Sequence, residues 1–162
     1  MLGVWHFSFT VGDIDRSVEF YRDVLGFELV HTQVQDNEYT RNLVGYPDAK
    51  LLVAQLAVPG QPRGISSHDL ELIQYVSPVG EPIGPDRYRP GAAHLALAVE
   101  DAHALWDKLR EAGANLVSPG PQLITAGANK GGYAFYFTDP DQITLEGVQP
   151  PARRLPAVGK PA

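Results

Sequence analysis

Two-residue alternation opens the chain. In Val4–Val11 (VWHFSFTV), Trp5, Phe7, Phe9 and Val11 share one side, while Val4, His6, Ser8 and Thr10 share the other. That is the period of a half-covered strand, whose aromatic face needs a helix over it. From Asp13 the period lengthens. Ile14, Val18, Tyr21 and Leu25 keep helical spacing, Asp13 or Asp15 can cap, and Gly26 stops the helix. Phe27–Val34, Lys50–Val58 and Asp69–Val76 read as three further strands, with a loop at Pro59–Gly64. Asp36–Tyr46 fits a short helix or a turn-rich excursion equally well. Ser77–Gly91, with four prolines, three glycines and no apolar period, reads as a linker. After it come a strand at Ala92–Val99 and a helix at Asp101–Ala112, with Ala104, Leu105, Trp106 and Leu109 on its apolar side and a stop at Gly113. Strands at Asn115–Ser118, Gly132–Thr138 and Gln142–Val148 complete the series, the last two joined by the turn Asp139-Pro-Asp.

The grammar of the first half therefore returns in the second. His6 and His94 lie 88 positions apart, whereas Gly26 and Gly113 lie 87 apart, as do Leu29-Val30 and Leu116-Val117. One residue is missing from the second helix. Each half closes on Glu-x-x-Gln, at Glu71–Gln74 and at Glu146–Gln149. Internal duplication is the reading, with a βαβββ module at 1–76, a linker at 77–91, a second βαβββ module at 92–150 and a frayed tail at 151–162.

Composition narrows the functional classes. The 162 residues carry a formal charge of −6 with no Lys or Arg run, which argues against a nucleic-acid groove or an anionic membrane as partner. There is no cysteine, so thiol nucleophiles, redox pairs and thiolate zinc sites are excluded. No apolar run of about 18 residues occurs and the N-terminus lacks the order of a signal peptide, so a soluble cytoplasmic protein is expected. A chain of this length buries roughly 70% of its unfolded surface, enough to stand without a disulfide or a structural metal.

The polar residues that break the apolar strand faces are the candidates for chemistry. His6 opposes Trp5, Phe7 and Phe9, and His94 opposes Ala93, Leu95, Leu97 and Val99. Glu71 shares a face with Asp69, Ile73 and Tyr75, with Leu70, Leu72 and Val76 behind, and Glu146 opposes Ile143 and Leu145. Four strands thus set one ionisable group each on the side away from the helices, at equivalent points of two repeats. If the sheets curve toward each other, two imidazoles and two carboxylates converge. Such a set suits a divalent transition metal (Fe, Ni, Co, Mn or Zn) over Ca²⁺ or Mg²⁺. A six-coordinate ion would keep two positions for adjacent substrate oxygens.

With these residues in view, the chain resembles the vicinal oxygen chelate superfamily, which includes glyoxalase I, methylmalonyl-CoA epimerase, extradiol dioxygenases and bleomycin- or fosfomycin-resistance proteins. The resemblance spans about Gly3–Pro150. It is carried by His6-Phe-Ser-Phe-Thr-Val, Asp15-Arg-Ser-Val-Glu-Phe-Tyr-Arg-Asp-Val-Leu-Gly-Phe-Glu-Leu, Leu70-Glu-Leu-Ile, His94-Leu-Ala-Leu-Ala-Val and Asp139-Pro-Asp-Gln-Ile-Thr-Leu-Glu. It implies an α+β fold in which two tandem βαβββ modules form a curved, incompletely closed mixed β-barrel with helices outside. It also implies one metal held by His6, Glu71, His94 and Glu146, and a homodimer in which edge strands are closed. Keeping two carboxylates, as glyoxalase I-like members do, favours a lyase or isomerase that chelates vicinal oxygens of a small substrate, stabilises an enolate-type intermediate and uses Glu71 or Glu146 as base. An Fe(II)-dependent dioxygenase and a metal-assisted antibiotic-binding protein are the alternatives. Gln142 stands where the family usually has Gly, a departure confined to a turn.

Loop residues at a cavity mouth are the remaining candidates: Tyr39, Arg41 and Tyr46 in the excursion, and Asn129, Lys130 and Tyr133 around the glycine-rich loop, as substrate contacts. His31 and His68 fall off the matched repeat positions and read as structural or solvated, and His103 as an exposed helix residue.

Overall fold

The computed structural model describes residues 1–84 and 86–154. The chain divides into two compact units, Met1–Ile83 and Gly84–Ala162, with the boundary inside the Pro/Gly-rich segment. The fold is α+β, built on two mixed sheets, neither of which closes on itself.

In the first unit β1 (Phe7–Thr10), β2 (Glu28–Gln35), β3 (Lys50–Ala57) and β4 (Leu70–Ser77) form a sheet in the order β1-β4-β3-β2. β1 runs parallel to β4, and the other pairs are antiparallel. Helix α1 (Ile14–Glu19) starts at Asp13, whose carboxylate accepts from Arg16 N–H. It packs on β3 and β4, burying Ile14 and Val18. The ambiguous excursion is a second helix, α2 (Glu38–Val44), because Asn37 caps it through Thr40 N–H and Gly45 ends it at φ 79°.

In the second unit the order is β5-β9-β8-β6, with β7 also paired to β8. The strands are β5 (Leu95–Ala98), β6 (Asn115–Leu116), β7 (Gln122–Leu123), β8 (Tyr133–Thr138) and β9 (Thr144–Gln149). Helix α3 (Ala102–Glu111), capped by Asp101, packs on β6, β8 and β9 and buries Ala102 and Leu109. The strand expected at Asn115–Ser118 is cut short, and its role along β8 is shared with β7, which the sequence reading did not contain.

The one-residue slip between the repeats has a structural cause. α1 does not run regularly to its glycine stop; it passes into a wide π turn at Phe20–Val24, where Leu25 N–H reaches Phe20 O at 3.1 Å. A π turn holds one residue more than an α turn. The insertion is absorbed there, with Tyr21 and Phe20 buried, and the strand register beyond Gly26 is preserved.

Two expectations fail. Trp5 and Phe7 are not covered by a helix: they are 57% and 53% exposed, because β1 is the edge of its sheet and α1 sits over β3 and β4. Val76, assigned to the packed face with Leu70 and Leu72, is also exposed. Of the tail predicted at 151–162, Ala152–Arg154 forms a 3₁₀ turn, and Arg153 donates to Lys130 O and Ala128 O at 2.9 Å each; residues 155–162 lie outside the described residues. No helix among the described residues is long and apolar enough to cross a membrane.

Candidate metal centre

In the first unit the parallel pairing of β1 with β4 brings the candidates together. Phe7 is in register with Leu70 and Ser8 with Glu71, and Phe7 N–H donates to Asp69 O at 2.9 Å. His6, one residue ahead of β1, therefore meets the start of β4, with its Nε2 3.7 Å from Glu71 Oε1. A third donor stands beside them. His68 precedes β4 and is folded back by Ser66, whose hydroxyl donates to His68 O at 2.9 Å. Its ring lies 4.8 Å from that of His6, and its Nε2 is 3.6 Å from Glu71 Oε2. Only 3% of the His68 side chain is exposed. Burial holds its pKa below the ordinary histidine value, and neighbouring His6 pushes the same way, against Glu71 and Asp69. Two buried nitrogens here, His6 Nδ1 and His68 Nε2, have no hydrogen-bond partner. Gln55, opposite Glu71 on β3, donates weakly to Glu71 Oε2 at 3.4 Å. Among the described residues, His6, His68 and Glu71 are the one trio whose donor atoms lie within 4.8 Å of one another.

In the second unit the same topology repeats with different neighbours. β5 runs parallel to β9, and His94, just ahead of β5, sets its Nε2 3.2 Å from Glu146 Oε2. Nearly half of the His94 side chain (45%) is exposed. Tyr136 on β8 pairs with Glu146 across β8–β9 and meets the His94 ring edge-on at 5.4 Å. Burial raises the Tyr136 pKa above the ordinary phenol value, and the adjacent Glu146 charge and hydrogen bond add to the rise. The phenol thus stays protonated and donates to the carboxylate. Arg87, Ala92, Ala93, His94 and Tyr136 line a cleft of about 260 Å³. A larger groove of about 670 Å³ in the first unit lies between α1 and the β2–β3 edge, against Val18, Arg22, Leu29 and Val34. None of the candidate ligands lines it, so chemistry points to the smaller cleft.

The predicted loop contacts are dispersed. Tyr39 is 70% exposed, Arg41 is paired with Asp36, and Tyr46 packs edge-on against Tyr75 at 6.1 Å. Asn129 and Lys130 belong to a tight turn in which Gly132 N–H reaches Asn129 O and Lys130 N–H reaches Gly127 O. Tyr133 meets His103 of α3 edge-on at 5.0 Å, on the helix-covered side of β8, whereas Tyr136 on the opposite face reaches Glu146. From the sequence alone His68 reads as structural or solvated, and Tyr136 and Arg87 are passed over. The parity of β8 could have found Tyr136, opposite the buried Phe135 and Phe137. His68 escapes parity because it lies before the strand, three residues from Glu71.

Comparison with known proteins identifies the family of the chain. A family model for the Glyoxalase/Bleomycin resistance protein/Dioxygenase superfamily matches residues 3–146. A 2-epi-5-epi-valiolone epimerase of an Actinomyces species is 33% identical over 154 residues, covering 93% of this chain and 81% of its own. The lactoylglutathione lyase of Haemophilus influenzae is 30% identical over 151 residues, covering 90% and 91%. Among solved structures, a glyoxalase family protein from Bacillus cereus superposes with a TM-score of 0.74 at 19% identity, over 94% of this chain and 96% of that one.

Proposed function

The chain belongs to the Glyoxalase/Bleomycin resistance protein/Dioxygenase superfamily, and from that membership we propose that it is a divalent-metal-dependent lyase or isomerase of a small substrate bearing adjacent oxygens. One observation carries the reading: both units pair a histidine with a glutamate at matched positions, at 3.7 Å for His6–Glu71 and 3.2 Å for His94–Glu146. Kinship with an epimerase and with lactoylglutathione lyases supports the reaction class.

The residues fit a cation. Mixed imidazole and carboxylate donors suit Fe, Ni, Co, Mn or Zn, and the buried His68 Nε2 beside Glu71, which has no hydrogen-bond partner, is a group that a metal would satisfy. His6, Glu71, His94 and Glu146 are the proposed ligands. When bound, the cation supplies Lewis acidity that stabilises negative charge on substrate oxygens once a neighbouring C–H is deprotonated. The carboxylates are the groups able to take and return that proton: Glu71 beside the Gln55 amide, Glu146 steadied by the Tyr136 hydroxyl. Arg87 at the His94 cleft offers positive charge to an oxygen-rich substituent. A second reading, an Fe(II) oxygenase, is favoured by the two-histidine, one-carboxylate trio of the first unit, the donor set typical of that chemistry.

The test is turnover without oxygen. Protein loaded with Ni²⁺, Co²⁺ or Mn²⁺ is incubated anaerobically in D₂O with 2-epi-5-epi-valiolone or lactoylglutathione, and carbon-bound deuterium is measured by mass spectrometry. Incorporation is the expected result; O₂ consumption by the Fe(II) form in a parallel aerobic incubation, with no anaerobic exchange, would favour the oxygenase instead. In the same assay Glu146→Gln should lose most metal occupancy and turnover while its circular dichroism persists. Unchanged metal content in that variant would overturn the ligand assignment.

A further inference from the structure

We propose that His68 is a third metal donor of the first unit, completing a two-imidazole, one-carboxylate set with His6 and Glu71 and presented by Ser66. The proposal rests on the reading that the chain holds a divalent metal, and adds a ligand that the repeat does not carry.

The argument begins with one hydrogen. The Ser66 hydroxyl has a single proton, and it goes to His68 O at 2.9 Å. The same oxygen lies 3.3 Å from His68 Nδ1, where it is left only to accept. This hydrogen-bond pattern assigns the ring hydrogen to Nδ1 and a bare lone pair to Nε2. A metal-ligating histidine is commonly oriented in this way, through a hydrogen bond made by its other nitrogen. The Nε2 lone pair faces Glu71 Oε2 at 3.6 Å, in a side chain only 3% exposed, and no donor reaches it. Two electron-rich atoms facing each other beside a side chain this deeply buried are costly unless a cation lies between them.

The spacing suits such an ion. With metal–nitrogen and metal–oxygen bonds of about 2.1 Å, two ligands of one ion stand about 3–4 Å apart. The carboxylate oxygens lie 3.7 and 3.6 Å from the two ring nitrogens, and the whole trio fits within 4.8 Å. The second unit has no counterpart. Ile143 occupies the place three residues before Glu146 that His68 holds before Glu71. The third donor belongs to one repeat only.

The test titrates the full chain with Co²⁺ by calorimetry and visible absorption. His68→Gln is expected to lower the affinity at least about tenfold and to shift the ligand-field bands, Ser66→Ala to lower it roughly tenfold through the lost orientation, and His31→Gln to leave both unchanged. Wild-type protein labelled with ¹⁵N-histidine gives a check that needs no variant. The metal-free chain should show the Nδ1–H tautomer at His68, and Zn²⁺ should move its Nε2 resonance. Unchanged affinity and bands in His68→Gln, or an Nε2 that carries hydrogen and ignores Zn²⁺, overturn the proposal. A wild type that binds no cation overturns the metal reading itself. One that binds, and loses the ion with Glu146→Gln but not with His68→Gln, overturns only the role of His68.

Discussion

Gln142 adopts φ 66°, the left-handed region in which a β-carbon crowds the backbone. The Asp139 carboxylate forces the turn by accepting from Asp141 N–H at 2.9 Å and Ile143 N–H at 2.8 Å. Gln142→Gly should therefore stabilise the chain by about 0.5–1 kcal/mol, the relieved crowding exceeding glycine's extra entropy in the unfolded state. A rise in the urea midpoint checks this, and a fall would mean the glutamine side chain makes a compensating contact. His68 sets an acid limit. Its folded pKa lies below the unfolded value near 6.5, so its neutral form is the one the fold prefers, and the unfolded chain binds the proton more readily. Stability of the metal-free protein should be fully present above about pH 6.5 and decline as pH falls toward the lowered folded value. Denaturation midpoints at pH 7.5 and 5.5 should differ less for His68→Gln than for wild type; equal differences would remove His68 as the cause. At this scale His6, Glu71, His94 and Glu146 were legible as candidates, because duplication makes each a check on its twin. His68 was not, since it has no twin and lies outside the strand whose parity could have aimed it.

The repeated Glu-x-x-Gln acquires its meaning from strand and helix together. Positions three apart on a strand face opposite ways. Glu71 and Glu146 take the side of the histidines, while Gln74 and Gln149 take the helix side. There Gln74 Oε1 accepts from Ile14 N–H at 3.0 Å and Gln149 Oε1 from Ala102 N–H at 2.9 Å, each at the first residue of its unit's helix. One strand thus carries the candidate ligand and caps the helix. Gln149→Ala should cost about 1 kcal/mol in thermal or denaturant unfolding, the usual worth of a lost N-terminal cap, while leaving Co²⁺ affinity near that of wild type. A large loss of affinity with unchanged stability would reverse these roles. The strand–helix alternation was readable from periodicity alone. The π turn was visible only as a missing residue in the spacing, because hydrophobic period does not tell a wide turn from an ordinary one. The split of β6 from β7 depends on how the chain between them meets β8, which local pattern does not contain.

For the whole molecule, the expected homodimer becomes a question about edges. β1 and β5 each border their sheets, and β1 leaves Trp5 and Phe7 more than half exposed. An uncovered apolar edge of this kind is usually paired or buried by association. Light scattering should give roughly 35 kDa, twice the 17.6 kDa of the chain, and Trp5→Ser with Phe7→Ser should shift it toward the monomer. A wild-type monomer at assay concentration would remove this part of the reading.

What the sequence by itself determined was the duplicated grammar, the mixed α+β class and the face on which each ionisable strand residue falls, since all three follow from period and spacing along the chain. The tertiary structure alone decided that His68 joins His6 and Glu71, that Tyr136 rather than Tyr133 reaches Glu146, and that Trp5 and Phe7 go uncovered. Those depend on which strands become neighbours and on where a loop turns back, and contacts between residues far apart in the chain leave no period to read.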